Sequence, residues 1–384
     1  MLKIFLTGDN HFGKKYDRYP EVREKLTESR FECLKNMVEK AEKEECGLFV
    51  IAGDLFDHVS TVKVSDIERV VRILSEFSGR VFVLPGNHDF YNGDEKVWKS
   101  FEKACASVEN NIILLNSYEK YCYEFGEERV EIYPAYCRSK HGRENNLGWI
   151  RDAKEEDTEN IRIGIAHGAI VGVTPDMNQE YFPMTEQELF DIPMDVWLIG
   201  HTHIPYPADL KEEEETKGHR IFNAGTHEQT DLHNRTEGNA FILSVEKEDG
   251  KSQVFAKKYV SGKIRFYDLE IFVRPESDTA LSDEIQRVLS EKIKNAGNAV
   301  IRLTIAGTAR QEEYRQKEKI YQELFKGYLT YEVRDEELCE EITIEKIRSE
   351  YAETSFAAKF LEHFSGDATE LSMAYELLRE CREM

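Results

Sequence analysis

The chain has 384 residues, 40% of them hydrophobic and 11% aromatic, which is enough for a sizeable buried core and for two or three domains of ordinary globular composition. Lys and Arg number 51 against 74 Asp and Glu, and the formal net charge of −23 argues against a freestanding, tight, non-specific duplex binder, which needs basic side chains to neutralise phosphates. No apolar run has the length of a membrane span and no signal peptide precedes the first strand. Seven scattered cysteines, none in a C-x-x-C pair, speak for a reducing, cytoplasmic compartment and against a disulfide framework or zinc ribbon.

In chain order, short apolar runs at 2–7, 48–52, 81–84, 161–166 and 196–199 predict buried strands, and amphipathic stretches at 30–44 and 65–77 predict helices between them. That alternation is α/β. After His203 the runs at 220–223, 240–245, 253–260 and 265–273 lack intervening helices, a meander that predicts a second sheet packed on the first. The acidic loop 211–215 reads as a solvated hairpin tip. A new unit is expected to begin near Pro275, with helix 281–294, strand 299–305, helix 311–325 and strand 328–334. Thr354 or Ser355 can cap a helix with Phe356, Phe360, Leu361 and Phe364 on one face. Asp367 can open a second, with Leu371, Ala374, Tyr375 and Leu378 on its apolar side. These helices either pack on each other and the body or present a groove-binding partner face.

Five motifs directly follow five of the strands: Asp9-Asn10-His11, Gly53-Asp54, Gly86-Asn87-His88-Asp89, His167-Gly168 and Gly200-His201-Thr202-His203. Loops leaving one sheet edge can converge, and these Asp, His and Asn side chains are the types that hold two divalent cations. Two cations about 3.5–4 Å apart activate water and clamp a phosphate, the requirements of phosphodiester hydrolysis. Charges that close need a bridging carboxylate, for which Asp54 is the natural choice. Residues two apart in an extended segment face one way, so Asp9 with His11, and His201 with His203, can each present two ligands. Glycines 8, 53, 86, 168 and 200 leave room for tight turns.

Taken singly, each motif is ordinary loop chemistry; their joint order carries the inference. Mixed nitrogen and oxygen donors suit Mn²⁺, Fe²⁺ or Zn²⁺, and the absence of cysteine from the motifs argues against a structural zinc. His88 is placed to contact the phosphate and protonate the leaving oxygen. Asp57 is expected to orient His88 through its far nitrogen, and Asp89 to brace the loop. Lys14, Lys15 and Arg18, and a second group, Arg138, Lys140 and Arg143, either contact DNA phosphates or are solvated surface. His227 is expected at the rim of the site.

The series D-x-H, G-D, G-N-H-D, H-G, G-H-x-H resembles the calcineurin-like metallophosphoesterases from Asp9 to His203. The stretch Gly53-Asp54-Leu55-Phe56-Asp57, followed by Pro85-Gly86-Asn87-His88-Asp89, further resembles the SbcD and YhaO-type DNA-repair exonucleases, bacterial counterparts of the meiotic-recombination-eleven nuclease. The resemblance implies a two-sheet β-sandwich flanked by helices over 1–275, a small α+β capping domain over 276–348 and C-terminal helices over 349–384. It implies Asp9, His11 and His203 at one metal, Asn87, His167 and His201 at the other, and Asp54 bridging them. Mn²⁺ is the expected ion, with Fe²⁺, Zn²⁺ or Mg²⁺ as alternatives. DNA is the implied substrate, and an SMC-type ATPase called SbcC the implied partner on the C-terminal helices; a homodimer stays open. The alternative is a phosphodiesterase acting on a small-molecule or nucleotide phosphoester. A protein phosphatase is disfavoured, because His58 and Asp89 stand where such enzymes carry Arg and Glu.

Overall fold

The computed structural model describes residues 1–383 except 127, 153–158, 175, 177, 213 and 275–278. It divides into two compact units, Met1–Ile264 and Arg265–Met384. In the first unit β1 (Leu2–Thr7), α1 (Arg23–Lys43), β2 (Leu48–Ile51), α2 (Val64–Leu74), β3 (Arg80–Val83), α3 (Lys96–Cys105) and β4 (Ile112–Leu114) alternate as crossovers. They are followed by β5 (Tyr121–Phe125), β6 (Glu128–Ala135), α4 (Gly148–Arg151), β7 (Ile161–His167), α5 (Glu186–Asp191), β8 (Val196–Gly200), β9 (Thr216–Lys217), β10 (Ile221–Asn223), β11 (Asn239–Glu248) and β12 (Lys251–Val260).

Two sheets result, one ordered β4-β3-β2-β1-β11-β12-β9 and the other β10-β8-β7-β6-β5. Strand periodicity explains why they stack. Leu2, Ile4 and Leu6 of β1, Leu48 and Val50 of β2, and Ile161, Ile163 and Ile165 of β7 share one core with Val196 and Leu198 of β8. The opposite faces carry Phe5, Phe49 and Ile51 beneath α1–α3, and Ala166, Trp197 and Ile199 beneath α4 and α5. Each strand is apolar on both sides because it is covered on both sides, which gives a two-sheet sandwich flanked by helices.

Parallel pairing sets where the site forms. β1, β2 and β3 run parallel in one sheet, and β7 and β8 in the other. Within each sheet the loops after these strands therefore leave from one edge.

The strands after His203 do not form a sheet of their own. β11 inserts between β1 and β12, while β10 pairs with β8 across the sandwich. The strand Arg265–Val273 is β13 of the second unit, where it pairs in parallel with β14 (Ala299–Ala309). The compact division therefore falls at Ile264 and not at 275; residues 275–278, where the boundary was expected, lie outside those described. Apolar alternation reads the same in any sheet, and the pairing partner is a nonlocal choice.

The second unit continues with α6 (Leu281–Lys292) before β14, then α7 (Gln311–Arg315), α8 (Lys317–Leu324) and β15 (Thr330–Glu340). The expected single helix 311–325 is broken at Gln316. β13, β14 and β15 form a three-stranded parallel sheet whose Ile271, Ile301 and Leu303 pack with Leu281, Ile285 and Leu289 of α6. Last come α9 (Ile344–Glu350), α10 (Phe356–His363) and α11 (Ala368–Glu383). Ser355 Oγ accepts from the Ala358 amide at 3.1 Å, and Asp367 Oδ1 from the Glu370 amide at 3.0 Å, so both expected caps form. The three helices close on Ile347, Tyr351, Leu361, Leu371 and Ala374, and Phe360, Phe364 and Leu378 lean on that core. Phe356 stays 77% exposed. No helix among the described residues is long and apolar enough to cross a membrane.

Candidate metal centre

The first two motif loops are zipped together by their main chains. Asp9 donates its amide to Gly53 O at 3.0 Å, His11 to Asp54 O at 2.9 Å and Asp57 to Phe12 O at 3.0 Å. Both loops turn sharply. Asp9, His11 and Asp54 have φ of 49°, 48° and 51°, and His201 has φ of 100°, left-handed conformations that cost a non-glycine residue of order 1–3 kcal/mol each. Asp9 and His11 therefore converge through a tight turn and not through the expected extended alternation. Gly53 and Gly86, like Gly168 and Gly200, answer to close approach: a Cβ on Gly53 would overlap the His167 ring, and one on Gly86 would overlap Asp54. Gly8 has ordinary room, with its nearest neighbour at 3.7 Å.

Ligand-type atoms of the motif residues gather in two groups, Asp9, His11 and His203 in one and Asp54, His167 and His201 in the other, and a third brings Asp57 and His88 to His11. Asn87 joins the second, its Oδ1 lying 3.0 Å from both His167 Nε2 and His201 Nδ1. Asp54 stands between them. Its Oδ2 lies 3.4 Å from His167 Nε2 and 3.9 Å from His11 Nε2, while its Oδ1 accepts the His88 amide at 2.8 Å. The Asp9 carboxylate accepts the His201 amide at 3.0 Å with both oxygens.

The donor set fits divalent cations. His11 Nε2 and His203 Nε2 face each other at 3.2 Å, and burial first of all pushes both imidazoles below their ordinary protonation range. A neutral imidazole can offer a lone pair to a cation. Nitrogens about 2.0–2.1 Å from one tetrahedral ion stand roughly 3.3 Å apart, so a cation is what this spacing accommodates. His167 is already set for the same purpose, because its Nδ1 lies 2.9 Å from Ala52 O and leaves Nε2 toward Asp54 and Asn87. Burial opposes a charge on His167, yet the Asp54 carboxylate outweighs it and raises the imidazole to about 9. Burial likewise opposes ionisation of Asp54, but His167, His11 and His88 hold it well below the usual carboxylate range. Asp9 is pushed up to about 8, by burial first and, against the pull of His167, by the Asp54 charge as well.

Around this centre the predicted residues divide. His88 is half-buried beside His11, ring centroids 4.8 Å apart, and its Nδ1 meets the main-chain carbonyl of Asp57 at 3.2 Å. The Asp57 carboxylate does not orient His88. It lies 3.4 Å from His11 Nδ1, an ion-pair distance and not a well-aligned hydrogen bond, so one residue touches two histidines through different atoms. Asp89 braces its loop, accepting the Gly86 amide at 2.7 Å and the Phe56 amide at 2.9 Å. Lys14, Lys15 and Arg18 line a recess with Asp57. Arg138, Lys140 and Arg143 are exposed, and the Lys140 carbonyl lies 3.4 Å from Asn87 Nδ2. His227 is not at the rim: it is wholly buried, with its ring 5.5 Å from Phe12 and Nε2 3.2 Å from Arg30 O.

Tyr181 escaped the sequence reading. Its ring lies 5.0 Å from His201 and 5.1 Å from His141, and no motif marks it. The bridge Gly142–Tyr181, with the Ala169 amide donating to Tyr181 O at 2.8 Å, brings it there.

The sequence profile described as calcineurin-like phosphoesterase matches residues 2–205, more than half of the chain. The uncharacterized metallophosphoesterase YhaO of Bacillus subtilis (strain 168) is 26% identical over 184 residues, 47% of this chain and 42% of that protein. The chain thus spans less than half the length of this curated relative. Among solved structures, the calcineurin-like phosphoesterase YfkN from Bacillus subtilis is 14% identical at a TM-score of 0.40, over 68% of this chain and 90% of that one. A dimetal phosphatase from Danio rerio is 14% identical at a TM-score of 0.33, over 58% of this chain and 87% of that one.

Proposed function

We propose, since this chain belongs to the calcineurin-like phosphoesterase family, that it hydrolyses phosphodiesters at two cations, with DNA as the substrate class. The observation that supports this most is the convergence of acceptor atoms from Asp9, His11, Asp54, Asn87, His167, His201 and His203 on two adjoining positions. Divalent cations bound there would supply Lewis acidity, making water nucleophilic at neutral pH and offsetting charge on the phosphoryl oxygens. Asp54 then keeps two positive charges close, and Asp57 steadies His11. His88, its Nδ1 engaged by a carbonyl, keeps Nε2 to contact the phosphate and deliver a proton to the leaving oxygen.

The DNA reading rests on the likeness of Gly53–Asp57 and Pro85–Asp89 to SbcD-type nucleases, and Mn²⁺ and an SbcC-like ATPase on the C-terminal helices follow from the same likeness. The net charge of −23 favours a second reading, a phosphodiesterase of small molecules or nucleotides. One assay separates them: purified protein with linear duplex, single-stranded DNA or bis(4-nitrophenyl) phosphate, each with Mn²⁺, Mg²⁺ or EDTA. Metal-dependent cleavage of all three substrates supports the nuclease. Turnover of the chromogenic ester with both DNAs intact would leave the small-molecule reading, and no turnover with either metal would defeat both.

A further inference from the structure

Beside the metal centre the loop after His11 forms one wall of a recess of about 320 Å³ that Asp57 also lines. That volume suits a nucleotide-sized group. Lys14 and Lys15 both line it, and within a chain of net charge −23 neither ammonium has an ion-pair partner among the described residues. The acids of the same recess are already engaged. Asp17 pairs with Arg23 at 3.3 Å, Asp57 lies against His11, and Asp231 Oδ1 accepts the His233 and Asn234 amides at 2.8 and 3.1 Å. Lys14 is close enough for its charge to act on both Asp57 and His203. Leu232, nearly buried, gives the recess an apolar side.

Resting on the phosphodiesterase reading of the adjoining centre, we propose that this recess is a second phosphate subsite. Lys14 and Lys15 would hold the phosphate next to the scissile one, with the intervening sugar or base against Leu232. The substrate class is then a nucleic acid strand or a nucleotide carrying a further phosphate, in preference to an isolated diester. Two ammonium groups without an ion-pair partner among the described residues, beside carboxylates that already have partners, are a site for an anion that the protein does not itself provide.

The test uses the whole chain loaded with Mn²⁺. The 4-nitrophenyl ester of thymidine 5′-phosphate, with and without a 3′-phosphate, is turned over, and binding of thymidine 3′,5′-bisphosphate is compared with that of thymidine 5′-phosphate. The native protein should favour the doubly phosphorylated partner by roughly tenfold, the value of one charge-assisted contact. In Lys14→Ala/Lys15→Ala the preference should shrink to within about twofold, as it should for the native protein at high salt. An equal preference in native and variant protein, or none in the native protein, overturns the subsite. If neither ester is hydrolysed the phosphodiesterase reading fails, and the binding arm still decides. Lysine-dependent preference for the bisphosphate upholds the subsite, and equal affinity for the two nucleotides ends it.

Discussion

At Asp54 both ligand groups meet, because one carboxylate oxygen takes the His88 amide and the other lies between His11 and His167. Asp54→Ala should lower bound Mn²⁺ as read by elemental analysis and abolish diester hydrolysis, since two cations would face each other without the shared charge. His88→Ala should behave differently. The His88 contact with Asp54 is made by its amide and survives the substitution, so metal content should hold while the rate on poor leaving groups falls by on the order of 10²–10⁴. Loss of both metals in that variant would make His88 a ligand. The gathered residues were legible because each is a ligand type placed directly after an apolar run. The left-handed backbones of Asp9, His11, Asp54 and His201 were not, since Asp and His adopt a positive φ in only a small minority of positions. The Asp57 arrangement was half legible: its nearness to His88 was expected, but the use of its carbonyl there and its carboxylate at His11 depends on the three-dimensional path of the loop.

Between elements, α1 ends against β12 through Glu44, which lies 2.8 Å from Lys257 and 2.5 Å from Lys40. Lys257 first and Lys40 second depress the Glu44 carboxyl to about 2 from an ordinary 4.5. A carboxyl depressed in the folded state stabilises it fully above the unfolded pKa and ceases to do so as pH falls through the folded one. Native protein should therefore melt above Glu44→Gln at neutral pH, by a small margin because the pair is solvent-screened. The gap should close between pH 4.5 and about 2. A melting-temperature series over that range checks it, and a gap constant with pH would remove the ion pair from the acid limb. Of the strands of the first unit, β1–β3, β7, β8 and β10–β12 were legible as apolar runs, whereas β4–β6 and β9 were not. Sheet membership was not: β11 must find β1 from more than 200 residues away, and β13 must choose β14 over its predecessors.

The metal centre lies wholly within Met1–Ile264, and the three C-terminal helices have their own small core. Leu361→Ala, at a fully buried position of that core, should cost about 2–5 kcal/mol locally, visible as faster proteolysis or amide exchange of α9–α11. Hydrolysis of bis(4-nitrophenyl) phosphate should stay as it is; a parallel loss of that activity would tie the helices to the catalytic unit. The division at Ile264 was not legible, because β13 looks like one more sandwich strand. The most direct measurement at this scale is a Mn²⁺ titration of EDTA-stripped protein with bound metal and diester hydrolysis read together. Activity should be absent without metal and should plateau when two ions are bound per chain. Full activity in EDTA, or a plateau at a single ion, would contradict the two-cation centre.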